Sequence, residues 1–456
     1  MSEPDDRPVS LEPPSEVDRK EALRVWIAIG LQSFGGPAGQ IAVMHRIVVE
    51  EKRWISEERF VHALNFCMLL PGPEAQQLSV YLGWLLHGVR GGLVAGTLFI
   101  LPGFVSILLL SYAYVASSEL AWLSGVFLGL RAAVLAIVVQ ALIRVGRRIL
   151  APGLQLGLAI TSFLAAFVLR VPFPAIIAGC AVAGLVAHRR RSPGSLSPGE
   201  GDTVQEGLCV GLSAAARRAP SPLRSLRTAA TGLAIWWAPL LALYAARDAT
   251  PILAQQGTFF GRVAVVSFGG AYAVLSYVAD HAVETLGWLT PREMLDGLGL
   301  AETTPGPLIQ VVQFVGFLGA HRSPGALPAW GAATLASLVV TWATFAPCFL
   351  WIFLGGPWVE LLRAQRALTS VLRAIGAGVV GAIANLAAWF ALHALFATVQ
   401  DTKVGPLRLW IAELATLDLR VAALAAGAAF ATFVLRIPMG KLLIASVAAG
   451  CLLSLF

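Results

Sequence analysis

Ser33-Phe34-Gly35-Gly36-Pro37, followed by Pro71-Gly72-Pro73-Glu74, and Ser267-Phe268-Gly269-Gly270, followed by Pro305-Gly306-Pro307, decide how this chain is read. Phe34 and Phe268 stand 234 positions apart, as do Trp54 and Trp288, and Pro71 and Pro305. Three landmarks at one spacing mark an internal repeat. Each landmark sets Gly and Pro inside an apolar stretch, where a membrane helix would be interrupted. Interrupted helices at matching positions of two halves point to the binding site of a transporter.

The surrounding composition supports a membrane reading. Of 456 residues, 57% are hydrophobic and 13% charged, against about 45–50% and about 25% in soluble domains. The mean hydropathy is +0.75. Apolar runs of about 20 residues, enough to cross a bilayer, recur from Ala22 onward, as in 92–116, 229–246 and 421–435. The net charge of +7 lies mostly in loops, so it is read as topology rather than as a nucleic-acid footprint. The five cysteines are scattered without CxxC spacing, which indicates neither a disulfide framework nor a zinc site.

Taken in order, residues 1–21 form an acidic, Pro-rich tail with no signal-peptide core, expected in the cytoplasm. The first repeat spans 22–188. Its segments are 22–50, interrupted at 35–37, then 60–86, interrupted at 71–73, then 92–116, 120–143, and the shorter 153–169 and 174–187. The loop 189–228 follows. Its stretch 189–227 carries seven arginines against three acids, and the positive-inside rule places it in the cytoplasm together with Arg90 and the Arg144–Arg148 cluster. One unpaired span in 229–250 then returns the chain outward, so the second repeat, 251–456, enters from the opposite side. The expected fold is therefore an all-α polytopic membrane protein of two inverted-topology repeats with broken helices, in about 13 segments arranged 6+1+6.

The repeat extends further. Pro102 matches Pro347, Arg131 in LRAAVLAIV matches Arg373 in LRAIGAGVV, and Phe167–Pro172 reappears as Phe433–Pro438 with one conservative change.

Unpaired backbone is tolerated at membrane depth only where it lines a cavity or is buried in protein. Pro37 and Pro73 suit the first position of a new helix, where a missing N–H costs nothing. Each break then offers free amides and the positive end of a half-helix to an anion. Gly35, Gly36, Gly269 and Gly270 allow close approach, and Gly72 and Gly306 accompany the second pair of breaks. Four half-helix ends at roughly +0.5 each, with Arg131 and Arg373, make about four positive charges. A dianion with one or two carboxylates balances that; a cation does not. Glu74 and Glu302 flank the two Pro-Gly-Pro breaks, and an intramembrane carboxylate can carry a proton. Gln76, Gln77 and Gln310 offer amide donors. Blander readings exist for each: close helix packing for Phe-Gly-Gly, a kink for Pro-Gly-Pro, a fixed carboxylate partner for Arg131, helix-to-helix bonds for the glutamines. Phosphate-loop, dinucleotide, nucleophile-elbow and metal-ligand motifs do not occur, so no enzyme, cofactor or metal is expected.

At these residues the chain resembles the chromate ion transporter family in its long, two-domain form. The matching pieces are 33–46 with Trp54-Ile55-Ser56, 69–88, 267–278 with Gly287-Trp288-Leu289, and 300–317. The resemblance implies an inner-membrane protein that exports chromate, with sulfate as a structural analogue and the proton gradient as energy source, conferring chromate resistance. It carries over Phe34, Gly35, Gly36, Pro71, Gly72, Pro73, Glu74, Gln76 and Gln77 in the first half. In the second half it carries over Phe268, Gly269, Gly270, Glu302, Pro305, Gly306, Pro307 and Gln310. Ala271 stands where Pro37 has its counterpart. The expected mechanism is alternating access, with anion and proton occupying neighbouring positions by turns. The expected partners are the chromate or sulfate dianion, protons, the bilayer and, as one option, a second copy of the chain. Other readings of the residues are a sulfate or oxyanion importer, a passive anion channel, and a membrane-embedded chromate reductase.

Overall fold

The computed structural model describes residues 17–117, 121–190, 213, 220–268, 270–359, 366–405 and 407–454. Gly269, most of the basic loop and residues 1–16 of the N-terminal tail lie outside these residues, while the end of the expected tail is helical from Arg19. The described chain is helical apart from one two-stranded hairpin.

In the first half, α1 (Arg19–Gln32), α2 (Gly36–His45), α3 (Glu57–Cys67) and α4 (Glu74–Ala116) are followed by α5 (Ala121–Ile149), α6 (Leu154–Phe167) and α7 (Phe173–Arg190). A linking helix α8 (Pro222–Ala245) follows. The second half has α9 (Pro251–Val266), α10 (Ala271–Ala279), α11 (Pro291–Thr303), α12 (Val311–Arg322), α13 (Ala329–Gly355) and α14 (Arg366–Leu395). A hairpin of β1 (Val399–Val404) and β2 (Leu407–Ala412), then α15 (Leu419–Phe433) and α16 (Met439–Leu453), complete it. The hairpin was not foreshadowed by the sequence.

The 234-residue repeat reaches backbone detail. α2 runs on into a π-helical turn at Arg46–Glu51 and α10 into one at Asp280–Thr285. Trp54 N–H then donates to Val48 at 2.9 Å, and Trp288 N–H to Ala282 at 2.8 Å. Ser56 caps α3 and Thr290 caps α11 with their side chains. Ser56 and Thr290 each tie down an amide that the helix itself leaves unpaired.

α4 is interrupted by non-helical backbone at His87 and Gly88, where the sequence placed a segment end. Beyond the break the chain folds back on itself. A Cβ built on Gly83 would lie 2.5 Å from the Gly91 carbonyl oxygen, and one on Gly91 2.3 Å from that of Gly83. Only glycine allows the two arms this close. The Ser79 hydroxyl spans the same seam to Ala95 O at 3.1 Å.

Each half wraps the last helices of the other. α5 packs against α15 and α16, while α14 packs against α6 and α7. The larger apolar core accordingly mixes both halves, from Ile100 and Leu130 to Val340 and Phe390.

This packing corrects the register of one sequence match. Gly450 is held by Gly125 and Gly129, and Gly184 by Ser370 and Ala374. Those pairs, like Pro102 and Pro347, are 245 positions apart. At that spacing Arg131 falls on Gly376 and Arg373 on Leu128, so the two arginines are not counterparts. A slip of three residues is nearly one helical turn, which keeps the apolar faces aligned and hides the error in the letters.

Five helices among the described residues, α4, α5, α8, α13 and α14, are long and apolar enough to cross a membrane. α6, α15 and α16 have 14 or 15 residues. They reach only about 21–23 Å, short of a hydrocarbon core of about 30 Å. The expected count of 13 is thus not met by length alone. The chain is a multi-pass helical membrane protein.

Candidate functional site

The four breaks meet, and they meet crosswise. Gly72 N–H donates to Ser267 O at 2.7 Å, and Gly306 N–H donates to Ser33 O at 2.9 Å. The 234-residue shift exchanges these two bonds, as a two-fold relation between halves requires. Gln40 adds a bond from its amide nitrogen to Gly306 O at 2.6 Å, and Gln77 one to Pro71 O at 2.7 Å. The amides of Gly72 and Gly306 are therefore used in joining the halves. They are not free for an anion, as the sequence reading had them.

What remains open is the start of the other two half-helices. Gly35 to Gly39 at the head of α2, and Gly270 to Tyr272 at the head of α10, line a cavity of about 1550 Å³. Gly36 (φ 69°) and Gly270 (φ 94°) hold left-handed backbone that other residues rarely adopt. Pro37 lies in the first turn of α2, and α10 begins at Ala271 without a proline. Phe268 lines the cavity, whereas Phe34 is exposed elsewhere.

A carboxylate from each half reaches the helix start of the other. A Cβ on Gly270 would lie 3.7 Å from Glu74 Oε1, and one on Gly36 4.0 Å from Glu302 Oε2. Glu74 lines the cavity as the first residue of α4. Glu302 is 3% exposed; its Oε1 accepts the Tyr272 hydroxyl at 2.6 Å, and Oε2 has no hydrogen-bond partner among the described residues.

Four guanidiniums surround these groups. Arg144 and Arg148 on α5, Arg373 on α14 and Arg436 all line the cavity, and none pairs with a described carboxylate. The sequence reading took Arg144 and Arg148 for topology markers and passed over Arg436 and Tyr272. Yet Tyr272 is two residues beyond Phe-Gly-Gly, and Arg436 sits in the repeated Phe-Val-Leu-Arg block.

Arg131 stands elsewhere. Its Nε donates to Asp296 Oδ1 at 2.6 Å and its terminal nitrogen to Oδ2 at 2.8 Å, while the Tyr114 hydroxyl donates to the same carboxylate at 3.0 Å. Its charge is spent, and it does not line the cavity. Asp296 is 1% exposed and escaped the sequence reading; a lone acid in an apolar run was its signal. The glutamines are off the cavity too. Gln310 bonds Gln313 and Thr341, and Gln76 is buried with neither amide atom bonded among the described residues.

The two-fold relation carries the cavity onto a second hollow of about 50 Å³, lined by Arg170, Tyr277, Asn385 and Trp389. Here Trp389 replaces Arg144, and Arg170 corresponds to Arg436. This side is closed by Arg408 of β2, which contacts Asp401 at 2.6 Å, Glu284 at 3.0 Å and Asp280 at 3.7 Å and stacks on Trp410. The Arg408 amide also donates to Val168 O at 2.8 Å. One face of the molecule is open and cationic; on the matching face the two arginines are paired with three acids.

Comparison with known proteins fits this layout. The chromate transporter family model matches residues 20–185 and 254–453. The chain belongs to the chromate transporter family. A chromate transport protein of Pseudomonas aeruginosa is 32% identical over 367 residues, covering 78% of this chain and 77% of that one. A chromate transport protein of Cupriavidus metallidurans is 28% identical, covering 80% of each. A probable chromate transport protein of Synechococcus elongatus is 29% identical, covering 80% of this chain and 83% of its own. No solved structure matches the chain. This chromate transporter homologue is thus a transport protein rather than an enzyme, and its two matched regions meet at the cavity.

Proposed function

We propose that the chain exports chromate, a tetrahedral dianion, across the inner membrane by alternating access between two oppositely inserted repeats. The carrying observation is the cavity itself, with four guanidiniums that pair with no carboxylate among the described residues around two half-helix starts. A bare dianion in hydrocarbon costs tens of kcal/mol, and this lining offsets that where a neutral or acidic one would not. The crosswise bonds Gly72–Ser267 and Gly306–Ser33 support the inverted arrangement.

Direction follows from charge. The positive-inside rule puts Arg144 and Arg148 at the cytoplasmic surface with the N-terminus, so the open cavity receives the anion from inside. The opposite hollow, with Arg170 and Arg408 already matched by Asp280, Glu284 and Asp401, holds an anion weakly and releases it. A closed second face favours a carrier over a passive channel. Glu74 and Glu302 stand where a proton can be exchanged beside the anion. Sulfate, of the same shape and charge, is the expected competitor.

Everted membrane vesicles supply the test. Chromate should accumulate inside them with the wild-type chain, be competed by sulfate, and fall to background when Arg144, Arg148, Arg373 and Arg436 are all replaced by Gln. Uptake unchanged in that variant would sink the anion site; accumulation only in right-side-out vesicles would reverse the direction.

A further inference from the structure

We infer that the Glu302 carboxylate is a built-in stand-in for the substrate at the head of α2, so that a dianion can bind there only together with a proton. The inference rests on the anion-transport reading and fixes the sign of its coupling.

Two independent observations meet at this place. The first turn of α2, a ten-residue helix, opens on the cavity with the positive end of its dipole. Glu302, at the far end of α11, brings a buried carboxyl oxygen with no hydrogen-bond partner among the described residues to within 4.0 Å of a Cβ position on Gly36. An ionised carboxylate left without donors is costly unless a positive potential compensates it. The head of α2 lies beside it, and no described Lys or Arg forms an ion pair with Glu302. Tyr272, from α10, holds the other oxygen in place and lines the cavity, so the carboxyl cannot swing away when an anion arrives.

The titratable and charged groups that line the cavity from the packed elements are Tyr272 on α10, His62 on α3, Glu74 on α4, Arg144 and Arg148 on α5, Arg373 on α14 and Arg436 before α16. The cations lie on the cavity side and draw the dianion in. Glu302 lies beside Gly36, outside the cavity lining, and repels it. The balance is protein-COO⁻ plus H⁺ plus dianion giving protein-COOH with the dianion bound. Proton and anion then bind together, which is the reverse of occupying the site by turns.

The purified full-length chain in detergent tests this with sulfate, which stays a dianion across the working range. Sulfate binding, followed by calorimetry in two buffers of different ionisation enthalpy, should take up about one proton per anion. Its affinity should weaken about tenfold per pH unit once the carboxylate is ionised. Glu302→Gln should bind sulfate with clearly less proton uptake and a weaker dependence of affinity on pH, the remainder belonging to Glu74 at the other helix head. Proton release on binding, or uptake unchanged in E302Q, overturns the inference. Binding by the wild type without proton uptake overturns it while leaving the anion-transport reading intact, and absence of binding of either sulfate or chromate at any pH overturns both. If E302Q does not fold, Tyr272→Phe replaces it: the pH at which sulfate affinity falls should move to the alkaline side, because a carboxylate that loses a donor holds its proton more tightly. An unmoved profile in Y272F counts against the inference.

Discussion

Arg131 and Asp296 form a two-pronged ion pair across the halves, with Nε to Oδ1 at 2.6 Å and the second prong at 2.8 Å. Arg373, an arginine of similar sequence context, has no described carboxylate and lines the cavity instead. The two therefore answer mutation differently. Asp296→Ala leaves a largely buried guanidinium unpaired and should cost about 3–5 kcal/mol of stability, read as a lowered unfolding temperature of the detergent-solubilised protein. Arg131→Met with Asp296→Leu should recover most of it. Arg373→Gln should leave the unfolding temperature in place and reduce chromate transport. An equal loss of stability in R373Q would refute the distinction.

The rim arginines act on capture more than on folding. Each of Arg144→Gln, Arg148→Gln and Arg436→Gln should raise the KM for chromate roughly threefold to tenfold, equivalent to about 0.7–1.4 kcal/mol, with little change in maximal rate. Because these side chains are exposed, added salt should weaken wild-type uptake and affect the triple variant less. Vesicle uptake at two ionic strengths measures both effects.

Gly36→Ala and Gly270→Ala probe the helix heads. Both positions hold left-handed backbone, where a Cβ costs about 1–3 kcal/mol. At Gly36 the methyl group would also sit 3.8 Å from the Tyr272 hydroxyl, in space an anion would use. Anion binding should fall more than tenfold in each variant while the protein still elutes as a folded species on gel filtration. Normal sulfate affinity in both would rule out the helix heads as the binding place.

Arg408 is 5% exposed and bonded to acids of β1 and of the π-helical turn after α10. Arg408→Gln removes the charge that holds these acids together and should loosen the closed face. A cysteine introduced at Asn385, inside the small hollow, should react with a membrane-impermeant maleimide slowly in the otherwise wild-type chain and at least several-fold faster with R408Q. Equal labelling rates would show that the ion cluster does not keep this face shut.

Much of this layout was legible in the letters, because duplication writes itself twice. The 234-residue spacing located all four breaks, and the breaks do converge. Less legible was which atoms they leave free. Gly72 and Gly306 look like Gly36 and Gly270 in sequence, yet their amides are consumed in the crosswise bonds to Ser267 and Ser33, a partnership between segments 195 and 273 residues apart. Charge was misassigned for a similar reason. Arg131 reads as an unpaired intramembrane cation until α11 brings Asp296 beside it, and Arg144 and Arg148 read as loop anchors until the cavity is seen to reach them. The slipped match of Arg131 with Arg373 came from a helix's tolerance of three-residue shifts. The β1–β2 hairpin has no counterpart in the first half, so the repeat could not announce it.

The exchange of terminal helices between halves bears on ancestry. α5 finds its neighbours in α15 and α16, and α14 finds its own in α6 and α7, so neither half alone has a finished interior. A polypeptide of half this length would have had to associate with a second molecule to bury the surfaces that these helices cover for each other.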